Sequence, residues 1–180
     1  MLRVRRVQSR AFTLVEAIAT MAIIGTVGLL SSRVIFAAAD AYAADAVRAE
    51  MTLDLSAAME RIAAELRSVP SRDGSVGTPW IDLAASTAIE FGNGSRIALA
   101  GSELELTIDG GTARTLLKDV SGFTLSYFDA AGQPLAAPMN TAGCDTLRRI
   151  QVTVSQTRSG ATETLRTRVF LRCGAAGGGS

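Results

Sequence analysis

Glu16 is the only formally charged side chain between Phe12 and Leu30, in an otherwise apolar stretch of the sequence. A carboxylate in such a stretch is costly to transfer into lipid unless a cationic group neutralises it. No cationic side chain lies within the stretch itself, so we expect the counter-charge to come from another chain. We predict that Glu16 pairs with the amino terminus of a neighbouring copy or relative, which would make it an assembly contact.

Groups that commonly carry out catalysis are scarce in this sequence. It contains no histidine, which excludes a Ser-His-Asp triad and leaves Lys118 as the single lysine available as a base. Glu103 and Glu105 alternate along a predicted strand, as exposed acids commonly do. We therefore predict no catalytic residue, no cofactor and a protein that is not an enzyme.

Metal and nucleic-acid sites have little support in the composition. Two cysteines without a histidine do not make a structural zinc site. The loop residues Asp129, Asn140 and Asp145 have side chains that can bind calcium, but they lack the fixed spacing of a calcium loop, so solvated loop polarity is the simpler interpretation. The net charge of +1 does not indicate nucleic-acid binding. We predict no metal site.

The stretch around Glu16 is long enough to cross a membrane once. As a helix, Phe12 to Leu30 would span roughly 28 Å, close to the hydrocarbon thickness of a bilayer. The preceding arginines favour a cytoplasmic amino terminus, and Arg33 can extend its long side chain to the far headgroups. Those arginines are Arg3, Arg5, Arg6 and Arg10. We assign 1–11 to a cytoplasmic leader and 12–39 to the membrane-spanning half of a helix.

A second helical pattern follows the apolar stretch. Apolar residues recur at steps of four and three residues up to Leu66, and Pro70 ends the pattern. This stripe comprises Val47, Met51, Leu55, Met59, Ile62 and Leu66. We predict that 40–69 is the amphipathic half of the same helix, that the helix runs from Thr13 to Ser68, and that the stripe packs on the core of the following domain.

Residues 70–173 show the alternating apolar pattern of an antiparallel β-domain. Strands are predicted at Ala88–Phe91, Arg96–Leu99, Glu103–Ile108, Thr112–Leu117 and Phe123–Phe128. The turns between them are rich in glycine, asparagine and aspartate, which tolerate positive φ. We expect these strands to form a meander, and we interpret the glycine-rich residues 174–180 as a flexible tail.

The last predicted hairpin joins Leu147–Thr157 to Ala161–Arg172 around Ser159-Gly160. If Arg158 opposes Ala161, an apolar face results in which Ile150 meets Val169 and Val152 meets Thr167. The opposite face then carries Arg149, Arg166, Arg168 and Arg172. We interpret it as a solvated strand face, although an acidic partner or nucleic acid could also bind there.

The same register brings Cys144 close to Cys173, offset by about two residues. We predict a disulfide between them, because the predicted topology places this domain outside the cytoplasm, where such a bond persists. The alternative is two separate thiols, buried or exposed.

The residues Ala11-Phe12-Thr13-Leu14-Val15-Glu16 resemble the processing site of type IV prepilins and type II secretion pseudopilins. The resemblance implies that a prepilin peptidase cleaves between Ala11 and Phe12 and methylates the new amine of Phe12. Glu16 then becomes the fifth mature residue and pairs with the amine of an adjacent subunit. This chain has Ala11 where the family usually has glycine. Two other interpretations remain open: a secretory signal cleaved between Ala39 and Asp40, and an uncleaved anchor.

Leu116 to Asp129 and Arg148 to Val154 are similar to strands of minor pseudopilins of the J type and related minor pilins. The resemblance implies an α+β pilin-like fold, with a long N-terminal helix packed on an antiparallel sheet. It also implies a single-pass protein of the bacterial inner membrane with a periplasmic domain, which enters a filament with other pilin or pseudopilin subunits through an inner-membrane assembly platform.

The function implied by this resemblance is initiation or capping of a short filament in a type II secretion system. The alternative is a minor pilin that primes a type IV pilus for adhesion, motility or DNA uptake. A third possibility, an anchored exported binding domain unrelated to filaments, is disfavoured by the leader.

Overall fold

The computed structural model describes residues 13–72 and 78–171 of the 180-residue chain. Its first element is one long helix, α1, at Leu14–Arg67. The predicted helix from Thr13 to Ser68 is therefore confirmed to within one residue at each end. Several predicted features lie outside the described residues: the leader 1–11 with Ala11, the new terminus Phe12, Arg172, Cys173 and the tail 174–180.

The chain divides into two compact units, Met1–Asp45 and Ala46–Ser180, with the boundary inside α1. In the first unit, the described residues are helical from Leu14 onward. The second unit contains the rest of α1 and all the strands. The described chain thus has an α+β composition, with its helix and its strands separated along the sequence.

Among the described residues, ten strands follow α1 and form two antiparallel sheets. Their bounds are β1 Ile81–Ala84, β2 Ala88–Phe91, β3 Arg96–Ala100, β4 Glu103–Thr107, β5 Arg114–Leu117, β6 Val120–Phe128, β7 Pro134–Leu135, β8 Met139–Asn140, β9 Arg149–Arg158 and β10 Ala161–Phe170. The first sheet has the order β5-β4-β3-β2-β1-β8, and the second has the order β10-β9-β6-β7. A single turn of 3-10 helix at Gly143–Thr146 precedes β9.

The expected meander is correct for β2 to β5 but wrong for the strand after them. Only Lys118 and Asp119 separate β5 from β6, a spacing typical of a hairpin. Nevertheless β6 pairs with β9 in the second sheet, while β5 pairs with β4 in the first. Asp119 adopts a positive φ of 57° at the point where the chain passes from one sheet to the other.

The second half of α1 contributes its apolar stripe to the core shared by both sheets. Seven residues of α1 are buried, and all lie at or beyond Met51: Met51, Leu55, Ala58, Met59, Ile62, Ala63 and Leu66. Every predicted stripe residue is among them except Val47, which is half-buried. The prediction that this half of the helix packs on the β-domain is thus confirmed, because Leu55 and Ile62 belong to one cluster with residues of both sheets.

Hydrogen bonds also join the two sheets. The Tyr127 hydroxyl on β6 donates to the Ala85 carbonyl beyond β1 at 2.5 Å. The Leu125 N–H, also on β6, donates to the Ser86 carbonyl at 2.7 Å. Burial, with a smaller contribution from Cys144, raises the pKa of Tyr127 above its ordinary value. Tyr127 therefore keeps its proton and remains a donor.

The Gly92 N–H donates to the Trp80 carbonyl, and the indole of Trp80 leaves no room for a side chain at position 92. A Cβ there would lie 1.8 Å from the Trp80 Nε1 atom. We expect Gly92→Ala to displace the indole and to lower the free energy of unfolding by about 1–3 kcal/mol. Trp80 is the single tryptophan and is 39% exposed, so its fluorescence emission reports the displacement directly.

Gly122→Ala is the matched control, because a Cβ at Gly122 would meet Ser155 at an ordinary 3.6 Å. This variant should leave the Trp80 emission unchanged. Unaltered emission and unaltered stability in Gly92→Ala would show that the indole does not pack on Gly92.

Candidate functional site in the amino-terminal half of the helix

Thr13 caps the amino terminus of α1. Its Oγ1 accepts a hydrogen bond from the Glu16 N–H at 3.3 Å, and its carbonyl accepts from the Glu16 and Ala17 N–H groups, both at 3.1 Å. Threonine is favoured in this position because it satisfies N–H groups that have no partner within the helix. The cap places Glu16 in the first turn, with its side chain exposed, although the proposed cleavage bond before Phe12 lies outside the described residues.

The first half of α1 presents an apolar surface. Leu14 is 79% exposed, Met21 is 74% exposed and Phe36 is 70% exposed. Other large apolar residues exposed along this half are Val15, Ile18, Ile23, Ile24, Val27, Leu29, Leu30, Val34 and Ile35. The helix is long and apolar enough to cross a membrane, and its most apolar stretch is not buried. These residues need lipid or other apolar surfaces around them.

Three hydroxyl groups within this apolar half are satisfied by the helix itself. Thr20 Oγ1 donates to the Glu16 carbonyl and Thr26 Oγ1 donates to the Ile23 carbonyl, both at 2.9 Å. Ser32 Oγ donates to the Leu29 carbonyl at 3.0 Å. Such bonds make hydroxyl side chains tolerable in hydrocarbon. The carboxylate of Glu16 is the charged exception between Leu14 and Leu30.

Cys144 is fully buried in the 3-10 turn before β9. Burial raises the pKa of its thiol to about 11, against a lowering effect of Arg72, while Asp82 raises it further. The chain returns to this region at its last described residue, since the Leu171 N–H donates to the Arg148 carbonyl at 3.0 Å. Cys173 follows two residues later in the sequence. The predicted Cys144–Cys173 disulfide is therefore still a prediction.

We expect the denatured, unreduced protein to contain no free thiol and the reduced protein to contain two, as measured by a thiol-specific chromogenic reagent. Reduction should lower the free energy of unfolding by about 3 kcal/mol, because the bond closes a long loop. The variant Cys144→Ser should expose one thiol without reduction. Two free thiols in the untreated protein would contradict the disulfide.

The loop oxygens considered for calcium make separate local contacts. Asp129 Oδ1 accepts from the Gln133 N–H at 2.7 Å, and Asn140 Oδ1 accepts from the Gly143 N–H at 3.2 Å. Asp145 forms an ion pair with Arg72. Over residues 13–72 and 78–171, histidine, cysteine, aspartate and glutamate form no group of three or more that could hold a metal.

The arginines of the last hairpin lie on the face predicted for them. The register is confirmed, since Ile150 pairs with Val169 and Val152 pairs with Thr167. The described arginines of the opposite face are Arg149, Arg166 and Arg168. On that face, the guanidinium groups of Arg166 and Arg168 both donate to Gln151 Oε1, at 2.6 and 2.9 Å.

Two of these arginines also stack on aromatic rings. Arg149 lies 4.8 Å from the ring centroid of Phe170, and Arg168 lies 4.6 Å from that of Phe128. Cation–π contacts of this kind hold a guanidinium in place while leaving it at the surface. The arginines are thus ordered by residues of β6, β9 and β10.

Sequence reasoning missed an ion-pair cluster at the tip of the last hairpin. Arg158 contacts Glu50 at 3.2 Å, Asp54 at 3.4 Å and Asp119 at 3.3 Å. The cluster links β9 to α1 and to the connection between β5 and β6. One available signal was the i, i+4 spacing of Glu50 and Asp54 beside the apolar stripe of α1.

Comparison with known proteins does not extend these observations. No protein-family model matches the chain, and no curated protein matches it. Its function must therefore be inferred from its own residues and their positions.

Proposed function

We propose that this chain is a minor pseudopilin-like subunit of a type II secretion system, which helps to initiate or cap a short periplasmic filament for protein export. The observation that carries the proposal is the position of Glu16 in the first turn of a helix whose exposed first half is apolar. The second half of the same helix enters the core of a β-domain. One element thus joins a segment suited to lipid to a folded domain.

The role proposed for Glu16 follows from the energetics of moving a helix out of lipid. Lipid tails are about as apolar as leucine side chains, so transferring Leu14 or Ile24 from lipid to a filament gains little hydrophobic energy. In the filament, by contrast, a carboxylate that pairs with an amine gains an electrostatic attraction that lipid does not provide. In this proposal, Glu16 pairs with the methylated amine of Phe12 in an adjacent subunit, and this pairing directs the order in which subunits join the filament.

The partners in this proposal are a prepilin peptidase, an inner-membrane assembly platform and other pseudopilin subunits. The subunit is held in the inner membrane by 12–39, with its β-domain in the periplasm, until the platform and its ATPase drive extraction. The chain itself acts mechanically and does not act as an enzyme. The ten-strand domain is the part that would meet neighbouring subunits or cargo outside the membrane.

Mass spectrometry of the amino terminus of the protein purified from its native membrane tests the processing step. We expect a chain that begins at N-methylated Phe12. A terminus at Asp40 would instead identify a secretory signal, and a terminus at Met1 would identify an uncleaved anchor. Either of these results would overturn the proposal.

Deletion of the gene separates the secretion role from a role in a type IV pilus. We expect the deletion strain to retain normally exported proteins in its periplasm while its surface pili remain. Restoration of export by the intact gene is the control. Loss of pili with normal export would assign the chain to a pilus.

A further inference from the structure

β10 presents a long free edge. It has ten residues, and among residues 13–72 and 78–171 it pairs only with β9, at one end of the second sheet. The other terminal strands of the two sheets are shorter: β5 has four residues, and β7 and β8 have two each. β10 is thus the edge with the greatest length available to a further strand.

The hairpin turn determines which backbone groups of β10 point away from β9. Ser159 and Gly160 both have positive φ, 51° and 79°, as in a two-residue type I′ turn. In such a hairpin the closing pair, Arg158 and Ala161, exchanges hydrogen bonds, and alternate pairs beyond it do the same. The intervening residues therefore direct their N–H and C=O groups to the free edge: Thr162, Thr164, Arg166, Arg168 and Phe170.

A groove lies beside this edge. It has a volume of about 560 Å³ and runs between β10 and the second half of α1. Its lining includes the apolar residues Met59, Ala63 and Leu165, with Glu60 and Arg166 among its polar residues. Successive side chains of a strand point to opposite faces, so every second residue of an added strand would enter this groove. Apolar side chains of such a strand can pack on Met59, Ala63 and Leu165.

The other side chains of an added strand would lie beside the arginines of the outer face. Arg166 and Arg168 are exposed there, and the alternate positions of β6, β9 and β10 that form this face contain no acidic residue. Opposite charges on neighbouring strands are favourable. The positions of an added strand next to Arg166 and Arg168 should therefore be acidic.

A second copy of β10 is a poor occupant of the same edge. In an antiparallel pair of two β10 strands centred on Arg166, the two Arg166 guanidinium groups would face each other. Like charges directly opposite each other destabilise a strand pair. Arginines along an edge thus discourage self-pairing while leaving it open to a strand of opposite charge.

We propose that β10 binds an extended segment of another protein by β-strand addition, and that this segment alternates apolar residues with acidic ones. The apolar residues pack against Met59, Ala63 and Leu165 in the groove. The acidic residues pair with Arg166 and Arg168 on the outer face, and the backbone completes the hydrogen bonds of the edge. The inference does not depend on the proposed filament role.

Peptide binding to the full chain in detergent micelles tests this proposal. The probe is a fluorescein-labelled ten-residue peptide that alternates glutamate with valine, and the comparison peptide replaces each glutamate with lysine. We expect the glutamate peptide to increase in anisotropy on binding, and the lysine peptide to bind at least about tenfold more weakly because it places like charges opposite the arginines. Absence of binding by the glutamate peptide would overturn the proposal.

Two variants separate strand addition from simple charge attraction. Arg166→Glu combined with Arg168→Glu should weaken binding of the glutamate peptide by about tenfold or more. Thr164→Pro removes an N–H that points to the free edge without removing a backbone hydrogen bond to β9, although the side-chain bond between Thr164 Oγ1 and Ser155 Oγ is lost. It should weaken binding to a similar extent. Arg114→Glu, compared with Arg166→Glu alone, is the charge-matched control, since Arg114 is exposed on β5 in the other sheet.

Circular dichroism of each variant verifies that the domain is folded. Unchanged binding by folded Thr164→Pro would show that the peptide does not add to the sheet, and equal weakening by Arg114→Glu would show that only net charge matters. Concentration-dependent dimerisation of the full chain that Thr164→Pro abolishes would assign the edge to a second copy. Each of these results would overturn the proposal.

Discussion

Replacement of Glu16 with alanine is expected to reduce incorporation of the subunit into filaments on the order of a hundredfold, because the variant leaves the amine of its neighbour without a counter-charge. An unpaired charge in apolar surroundings costs about 3 kcal/mol or more, and about 1.4 kcal/mol corresponds to a factor of ten. The measurement is the fraction of the protein that a chemical crosslinker joins to other filament subunits in intact cells, determined by immunoblotting.

Asp40→Ala is the matched control for this experiment. Asp40 is an exposed carboxylate on the same helix, beyond the apolar stretch that contains Glu16. Its removal should leave incorporation unchanged, and Trp80 emission should show that the domain of both variants is folded. Normal incorporation of Glu16→Ala, or an equal loss in Asp40→Ala, would contradict the pairing role of Glu16.

Leu55→Ala is expected to lower the free energy of unfolding by about 2–5 kcal/mol, because it leaves a cavity where α1 and both sheets meet. Leu55 is 2% exposed and belongs to the shared hydrophobic cluster. Chemical denaturation of the full chain in detergent, followed by Trp80 fluorescence, measures the effect. Such a loss is a large part of the stability of a typical domain.

Leu53→Ala makes the same chemical change on the opposite side of the helix. Leu53 is 71% exposed, so the substitution should change the free energy of unfolding by no more than about 0.5 kcal/mol. Equal effects at positions 53 and 55 would show that the second half of α1 does not pack on the sheets.

The helix and the last hairpin could be predicted because short-range patterns determine them. The stripe from Met51 to Leu66 has helical spacing, and Pro70 ends it. For the hairpin, a two-residue turn at Ser159-Gly160 leaves only one opposing pair, Arg158 and Ala161, from which every later pair follows. In both cases the residues that determine the structure lie within a few positions of one another in the sequence.

The division into two sheets could not be predicted by the same means. β6 alternates apolar and polar residues from Phe123 to Tyr127, and alternation does not specify which strand is the neighbour. β1, β7 and β8 were not predicted, and β7 and β8 have only two residues each, too few to establish a period. Their positions depend on pairing with distant residues, such as Leu83 with Asn140.

In the candidate site, too, features determined by neighbouring residues could be predicted, and features that depend on distant residues could not. Glu16 could be recognised because a single acid in an apolar stretch is conspicuous in the sequence alone. The cluster around Arg158 could not be recognised in this way, since its contact with Asp54 joins residues 104 positions apart. The free edge of β10 likewise becomes apparent only when the order of strands in the sheet is known.

The pairing of β6 with β9 and of β1 with β8 determines when the fold can be completed during synthesis. A chain made from its amino terminus produces α1 and β2 to β5 early, and those strands pair with sequence neighbours. The first sheet gains its last strand only after Met139–Asn140 has been made, and the second sheet acquires one of its two central strands only with Arg149–Arg158. Until then Leu55, Ile62 and Leu125 lack the core residues of β9 and β10, such as Val152 and Val169. The nascent protein therefore carries an unfinished apolar surface until most of the chain has been made.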